Sequence, residues 1–403
     1  MDRSIIIDVL KKWNIWEKKI DAGIKRGDYI DRIYPYMDRK EVLVLKGVRR
    51  SGKSTLVKQL IMELIKKVNK KQILYLNLED YNFANDLEIV LFDHVLEAYK
   101  AYSKNKKRIY FFIDEIQKIK GWEKWLRTKY DVGENIKFVI TGSSASLLSK
   151  EFSTLLTGRN LAFRIVPLSF TEFLKFSKEK SVENYLLFGG FPEVVLENSE
   201  DKKLLLLQQY FEDIIHKDVI DRYSIRNAKQ LIEIARYLVS TAGSKVSINR
   251  LSKIFGLSKE SISIYLNHMI DAYLLHEVTY FSYSAKIKHD VTKLPKLYCI
   301  DNGLISTVST KYSKNKGQMF ENAVFLNLLK QTDDISYWSE PDSEVDFIVE
   351  GEAINVTATD KISKREQKGL EDFQARHKNF STLLITESIT KRNMISLSDF
   401  LKR

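Results

Sequence analysis

Residues Gly47-Val48-Arg49-Arg50-Ser51-Gly52-Lys53-Ser54 read G-x-x-x-x-G-K-S, with Thr55 next. A loop with glycine at both ends can turn its backbone N–H groups toward one anion, and a following helix presents its positive N-terminus to the same place. Lys53 then reaches the β- and γ-phosphates of a nucleotide, and the Ser54 hydroxyl is a ligand for Mg²⁺. The apolar run Val42 to Leu45 leads into the loop and an amphipathic pattern through Leu56, Leu60, Ile61 and Leu64 leaves it, so the motif sits in strand–loop–helix context. Gly47 through Thr55 are therefore the candidate nucleotide-binding residues, with ATP and Mg²⁺ as the implied ligands.

A second group supplies acids. Tyr110-Phe111-Phe112-Ile113-Asp114-Glu115 is an apolar strand ending in two adjacent carboxylates. The first would face the Mg²⁺ shell and the second the attacking water, which makes Asp114 a metal ligand beside Ser54 and Glu115 the general base. The next apolar run, Lys137 to Thr141, ends in Gly142-Ser143-Ser144. Hydroxyls there would lie beside the γ-phosphate; Ser143 leads and Thr141 is second, while capping of a following helix by Ser143 or Ser144 explains the same residues. Arg159 follows this unit and has two readings: a cation for transition-state charge, in cis or from a neighbouring subunit, or a surface salt bridge. Glu79 and Asp80 end the second strand and read as a solvated loop that can approach the pocket.

These groups need a frame. Strand candidates Val42 to Leu45, Ile73 to Leu78, Ile109 to Ile113, Lys137 to Thr141 and Leu161 to Val166 alternate with helical intervals, which predicts a parallel α/β sheet covered on both faces. Before it, residues 1–40 form a helical segment whose Trp13 and Trp16 read as core packing or a partner-binding stripe. The core spans 41–167, and a helical lid follows over 168–245. Over 246–312, two helices and a hairpin, Val278 to Tyr283 with Lys296 to Ile300, predict a winged helix. Residues 313–403 run in α+β order.

Together the stretches Gly47 to Ser54, Asp114-Glu115-Ile116-Gln117, Thr141 to Ser144, Thr157-Gly158-Arg159, Pro167 to Phe173, Gly189-Gly190-Phe191-Pro192-Glu193, Tyr298 to Leu304 and Glu344-Val345-Asp346-Phe347 resemble a family of prokaryotic, especially archaeal, AAA-type ATPases. The C-terminus of that family is a domain of unknown function with a restriction-endonuclease-like core. The resemblance implies an AAA+ P-loop core, a helical lid, a winged helix and ATP hydrolysis with Mg²⁺. It also implies a nuclease-like pattern in which Glu321 and Asp346 would be metal ligands. Family members commonly carry Glu and Lys where this chain has Asn355 and Thr357, so no nuclease activity is expected, with Lys361 as a weak substitute.

Composition sets outer bounds. At 44% hydrophobic and 29% charged residues the chain is globular, and no apolar run approaches the roughly 18 residues of a spanning helix. We expect a cytoplasmic protein without membrane attachment. Cys299 is the single cysteine, which excludes a disulfide framework and a cysteine-based zinc site. A net charge of +12 invites a polyanion, and Lys259, Ser263, Asn267 and His268 on the second helix of the winged-helix segment are the DNA-facing candidates, opposed by Glu260 and Asp271. A protein partner or a second copy of the chain is the alternative.

Overall fold

The computed structural model describes residues 2–143, 158–284, 293–308, 316–362 and 364–403. It divides into two compact units, Met1–Ile165 and Val166–Arg403.

The first unit is built on a five-stranded sheet, β1 (Val42–Lys46), β2 (Ile73–Asn77), β3 (Ile109–Asp114), β4 (Ile136–Gly142) and β5 (Asn160–Arg164), in the order β2-β3-β4-β1-β5. Every pairing is parallel. Successive strand residues face opposite sides, and here both sides are apolar. Val42, Val44, Leu74, Leu76, Phe111 and Phe138 pack with helices α1 (Arg3–Trp13), α4 (Val90–Ser103) and α5 (Trp122–Val132). Leu43, Leu45, Tyr75, Phe112 and Val139 pack with α2 (Gly27–Ile33) and α3 (Lys53–Leu64).

Residues 1–40 belong to this same unit. The edge strand β2 exposes backbone groups that would otherwise invite pairing. Asn14 brackets Tyr75, accepting from its N–H at 2.7 Å and donating to its carbonyl at 2.8 Å, and the Trp16 indole donates to the Ile73 carbonyl at 2.8 Å. The Trp13 indole donates to Asp80 at 2.6 Å. The two tryptophans thus serve packing against the sheet rather than an open stripe.

The second unit opens with helices and closes on a seven-stranded mixed sheet. Its strands are β6 (Leu275–Tyr280), β7 (Lys296–Cys299), β8 (Ser336–Glu340), β9 (Ser343–Val349), β10 (Glu352–Val356), β11 (Ser381–Thr386) and β12 (Met394–Ser396), in the order β12-β11-β10-β9-β8-β6-β7. The helices Ile248–Phe255 and Lys259–Asp271 precede the antiparallel pair β6 and β7. That hairpin does not stand alone: the end of β6 runs parallel to β8, pairing Thr279 with Ser336, so segments expected to be separate share one sheet.

The motif stretches around Gly189 and Asp301 meet here as a packing device. Asp301 is buried and accepts from the N–H groups of Gly190 at 2.7 Å and Gly303 at 2.8 Å. A Cβ at Gly189, whose φ is +69°, would lie 1.8 Å from the Asp301 carboxylate, so glycine is required. Burial pushes the Asp301 carboxyl up to about 7 despite these hydrogen bonds. Cys299 is buried inside β7, where its N–H and carbonyl are taken by the Asn322 side chain.

Candidate nucleotide-binding site

The loop between β1 and α3 depends on unusual backbone angles. Gly47 approaches the strand beside it so closely that a Cβ would sit 2.1 Å from the Ile165 carbonyl oxygen. Arg50 adopts a left-handed φ of +68°, and Gly52, at φ +90°, precedes the first turn of α3. Lys53 is buried and folds back over the loop, donating to the carbonyls of Gly47 and Val48 at 3.0 Å each. These carbonyls hold the ammonium at the loop, next to the helix N-terminus that favours an anion.

Sheet order determines what faces that loop. Strand β4 lies between β1 and β3, pairing Leu45 with Thr141 on one side and Ile113 with Ile140 on the other. Its C-terminal end therefore stands between the phosphate loop and the two acids. Thr141 donates to Asp114 and accepts from the Glu115 N–H at 3.0 Å. The Tyr75 hydroxyl donates to the other Asp114 oxygen at 2.8 Å, and the Ser54 hydroxyl hydrogen-bonds the same carboxylate. Burial and the neighbouring Glu115 raise the Asp114 pKa, against the lowering effect of these three hydroxyl bonds. Ser143 donates to Glu115 at 3.2 Å, while the Gln117 amide reaches both Glu115 and, at 3.3 Å, the Ser143 hydroxyl. Glu115 itself is left-handed at φ +57°, an uncommon conformation for a non-glycine residue.

The structure thus gathers Lys53, Ser54, Asp114, Glu115, Thr141 and Ser143 at one end of the sheet. Thr141 orients the acids and Ser143 holds Glu115. Tyr75 and Gln117 were not legible as site residues: Tyr75 reads as one more apolar strand position, and Gln117 stands in the stretch Asp114 to Gln117 without a role assigned to it. Arg164 is a further cation missed; it ends β5 in register with Lys46, at the loop's end of the sheet.

Arg159 is a correction. It precedes β5, and its carbonyl accepts from the N–H of Val42 at 2.8 Å, which places it at the opposite end of the parallel strands from the loop. Its side chain pairs with Asp131 at 3.0 Å, so the surface salt bridge is what forms, and the guanidinium is not brought to the phosphates of its own chain. Glu79 lies 3.6 Å from Arg49 of the loop, whereas Asp80 is taken by Trp13 and by the Asn82 N–H. Ser144 and Thr157 lie outside the described residues.

Comparison with known proteins places the loop and the acids inside a matched domain. Residues 39–174 match the family described as AAA domain, residues 179–315 the domain of unknown function DUF8612, and residues 316–396 the domain of unknown function DUF4143. The uncharacterized protein MJ1544 of Methanocaldococcus jannaschii is 33% identical over 402 residues, covering 90% of this chain and 88% of that protein. An uncharacterized protein of Haemophilus influenzae is 32% identical over 341 residues, covering 81% and 84%. The chain belongs to this family of AAA-domain proteins. Its first unit is an AAA-type P-loop ATPase fold. Among solved structures, the Aeropyrum pernix ORC1 protein in complex with DNA overlaps 72% of this chain and 93% of its own, at 12% identity and a TM-score of 0.32.

A second cluster of functional residue types lies in the other unit of this AAA-domain protein. Lys296 of β7 has a 4% exposed side chain, and its ammonium sits 3.1 Å from Glu321, 2.9 Å from Glu344 and 3.0 Å from Asp346. Tyr298 donates to Glu321 at 2.6 Å, and Lys245 reaches Glu344 at 3.3 Å. Burial opposes the charge on Lys296, but Tyr298 and the three carboxylates hold its pKa well above the usual lysine value. Burial and Asp346 push Glu321 up to about 7, whereas Glu344, also penalised by burial, is held low by Lys296 and Lys245.

Asn355 does not act as a ligand there. It accepts from the Asp346 N–H at 2.9 Å and donates to the carbonyls of Glu344 and Glu366 at 3.1 and 2.9 Å. Lys361 is exposed, Lys296 takes the cationic place between the carboxylates, and this donor set does not fit a divalent metal. The helix Lys259–Asp271 keeps Lys259, Ser263 and Asn267 on an open groove, but His268 stacks on Tyr223 with ring centroids 3.5 Å apart and is withdrawn from it.

Proposed function

We propose that this AAA-domain protein binds and hydrolyses ATP with Mg²⁺ and couples its nucleotide state to engagement of DNA or a DNA-bound partner. The observation that supports it most is the hydrogen-bonded ring of Thr141, Asp114, Glu115, Ser143 and Gln117 beside the phosphate loop. Ser54 and Asp114 present adjoining oxygens and fit Mg²⁺, which when bound supplies charge neutralisation across the phosphates. Lys53, now on the Gly47 and Val48 carbonyls, would turn to the phosphate oxygens of a bound nucleotide. Glu115 takes the proton of the attacking water, oriented by Ser143 and Gln117. Thr141 fixes the acids, donating to one and accepting from the backbone of the other.

The helices Ile248–Phe255 and Lys259–Asp271 with β6 and β7 are the winged-helix segment in this reading, flanking a cavity of about 740 Å³. The net charge of +12 supports a polyanionic partner. A second reading, a slow nucleotide switch acting on protein partners or on further copies of the chain, is supported by the same cavity. Exposed Ile248 and Ile264 line it, and Glu260 and Glu277 there oppose phosphates. For the last segment, read as a nuclease-like core, no cleavage is expected: Asn355 and Thr357 stand where the family carries Glu and Lys, and Lys296 pairs with Glu321, Glu344 and Asp346.

The deciding experiment is ATP turnover with and without duplex or single-stranded DNA, beside Lys53→Ala and Glu115→Gln. Stimulation by DNA that both variants abolish supports the first reading. Turnover indifferent to DNA supports the second, and equal turnover in the variants removes the ATPase assignment.

A further inference from the structure

Resting on the ATP-binding reading, we propose that Arg26, far from the motif in sequence, is a positioning residue that sets the phosphate loop for its anion. Arg26 is 2% exposed. Its guanidinium donates to the Ser51 carbonyl at 2.8 Å and lies over the Tyr29 ring, 4.5 Å from the centroid. Arginine is charged at every accessible pH, so this is a charge-assisted bond to the loop backbone in a site closed to water.

Peptide geometry gives the bond its consequence. In a trans peptide the carbonyl and the following N–H point opposite ways. Holding the Ser51 carbonyl on Arg26 therefore turns the Gly52 N–H away from the guanidinium, toward the side where an anion is received. Gly52 at φ +90° has no Cβ to select one orientation, so the choice falls to the hydrogen bonds around this peptide. The guanidinium supplies one of them and adds positive charge behind the loop.

Arg26 is in turn held by the strap 22–26 on α3. The Gln59 amide donates to the carbonyls of Ala22 at 2.9 Å and Ile24 at 2.7 Å, and its oxygen accepts the Arg26 N–H at 3.0 Å. Gly23 rests against Thr55, where an added Cβ would meet the threonine methyl at 3.6 Å. One glutamine on the helix that follows the loop thus registers the strap, and the strap delivers the arginine back to the loop.

The test compares Arg26→Met and Arg26→Lys with the unmodified chain. Amide exchange of Gly52 and Lys53 is measured without nucleotide, and affinities for ATP, ADP and adenosine are measured separately. We expect faster exchange confined to the loop, and ATP and ADP affinities lowered about tenfold while adenosine binding stays within about twofold. Arg26→Lys, keeping the charge and one donor, should recover part of both effects and covers the case in which Arg26→Met does not fold. Unchanged loop exchange and phosphate affinity in a folded variant would overturn the assignment, as would equal losses for adenosine and ATP. If the unmodified chain binds no ATP, the ATP reading fails, and the nucleotide-free exchange still decides the role of Arg26.

Discussion

Replacing Lys296 by methionine removes a charge while nearly preserving shape, and three carboxylates lose their common partner. In the intact protein the ammonium lies within 3.1 Å of Glu321, Glu344 and Asp346 with only 4% of its side chain exposed. Lys245 still reaches Glu344, but among the described residues Glu321 and Asp346 keep no cation of comparable closeness. Breaking a buried ion network from one side costs about 3–5 kcal/mol, most of it the price of leaving the opposite charge unpaired. For a unit the size of Val166–Arg403, at roughly 2–4 °C per kcal/mol, the second unit should melt about 6–20 °C lower.

The deficit should depend on pH. In the intact protein Glu321 is held at about 7, above its ordinary value of 4.5, so the folded state binds that proton more tightly than the unfolded chain. Its contribution to stability is complete below 4.5 and is lost as pH rises through about 7. With Lys296 gone the carboxylates repel more strongly when ionised, so Lys296→Met should be worst at pH 8 and partly relieved at pH 5. Adding Glu321→Gln and Asp346→Asn should restore part of the loss. Melting followed by circular dichroism across that range is the assay. A variant melting within about 2 °C of the parent at pH 8 would refute the view of Lys296 as the cage's required cation.

Thr141→Val keeps the volume of the side chain and deletes the hydroxyl between Asp114 and Glu115; ATP turnover should fall at least about tenfold with smaller change in nucleotide affinity, measured by single-turnover kinetics and equilibrium binding. Asp301→Asn places an amide against the N–H donors of Gly190 and Gly303 and should cost about 1–3 kcal/mol in denaturant titration. In the parent, Asp301 is held at about 7 against 3.8 unfolded, so its contribution falls as pH rises through that window, and the variant should lose this dependence. Arg159→Ala removes a partly exposed pair with Asp131 and should leave ATP turnover within about twofold; a large loss restored by mixing with a second copy would assign the guanidinium to a neighbour's site.

By itself the sequence determined what is local. The phosphate loop is eight consecutive residues whose glycines, lysine and serine have their chemistry wherever the loop is placed, and the acids Asp114 and Glu115 end a run too apolar to be anything but a buried strand. Alternation of strand and helix likewise follows from short-range periodicity and made the parallel sheet legible, to within a residue or two at each strand end.

Only the tertiary structure decided which strands are neighbours. Inserting β4 between β1 and β3 is what makes Thr141 and Ser143 partners of the acids, and the parallel register is what sends Arg159 to the far end. Arg26 and Tyr75 reach the site from segments with no motif of their own, and Gln117, although it stands in the stretch Asp114 to Gln117, acquires its contacts with Glu115 and Ser143 only in the fold. In the second unit, Lys296 comes from β7, Glu321 from a helix, and Glu344 and Asp346 from β9, and nothing in their spacing announces an ammonium shared by three carboxylates. Such pairings arise from burial, which brings distant charges together only where each finds its opposite, and that condition is written in the packing rather than along the chain.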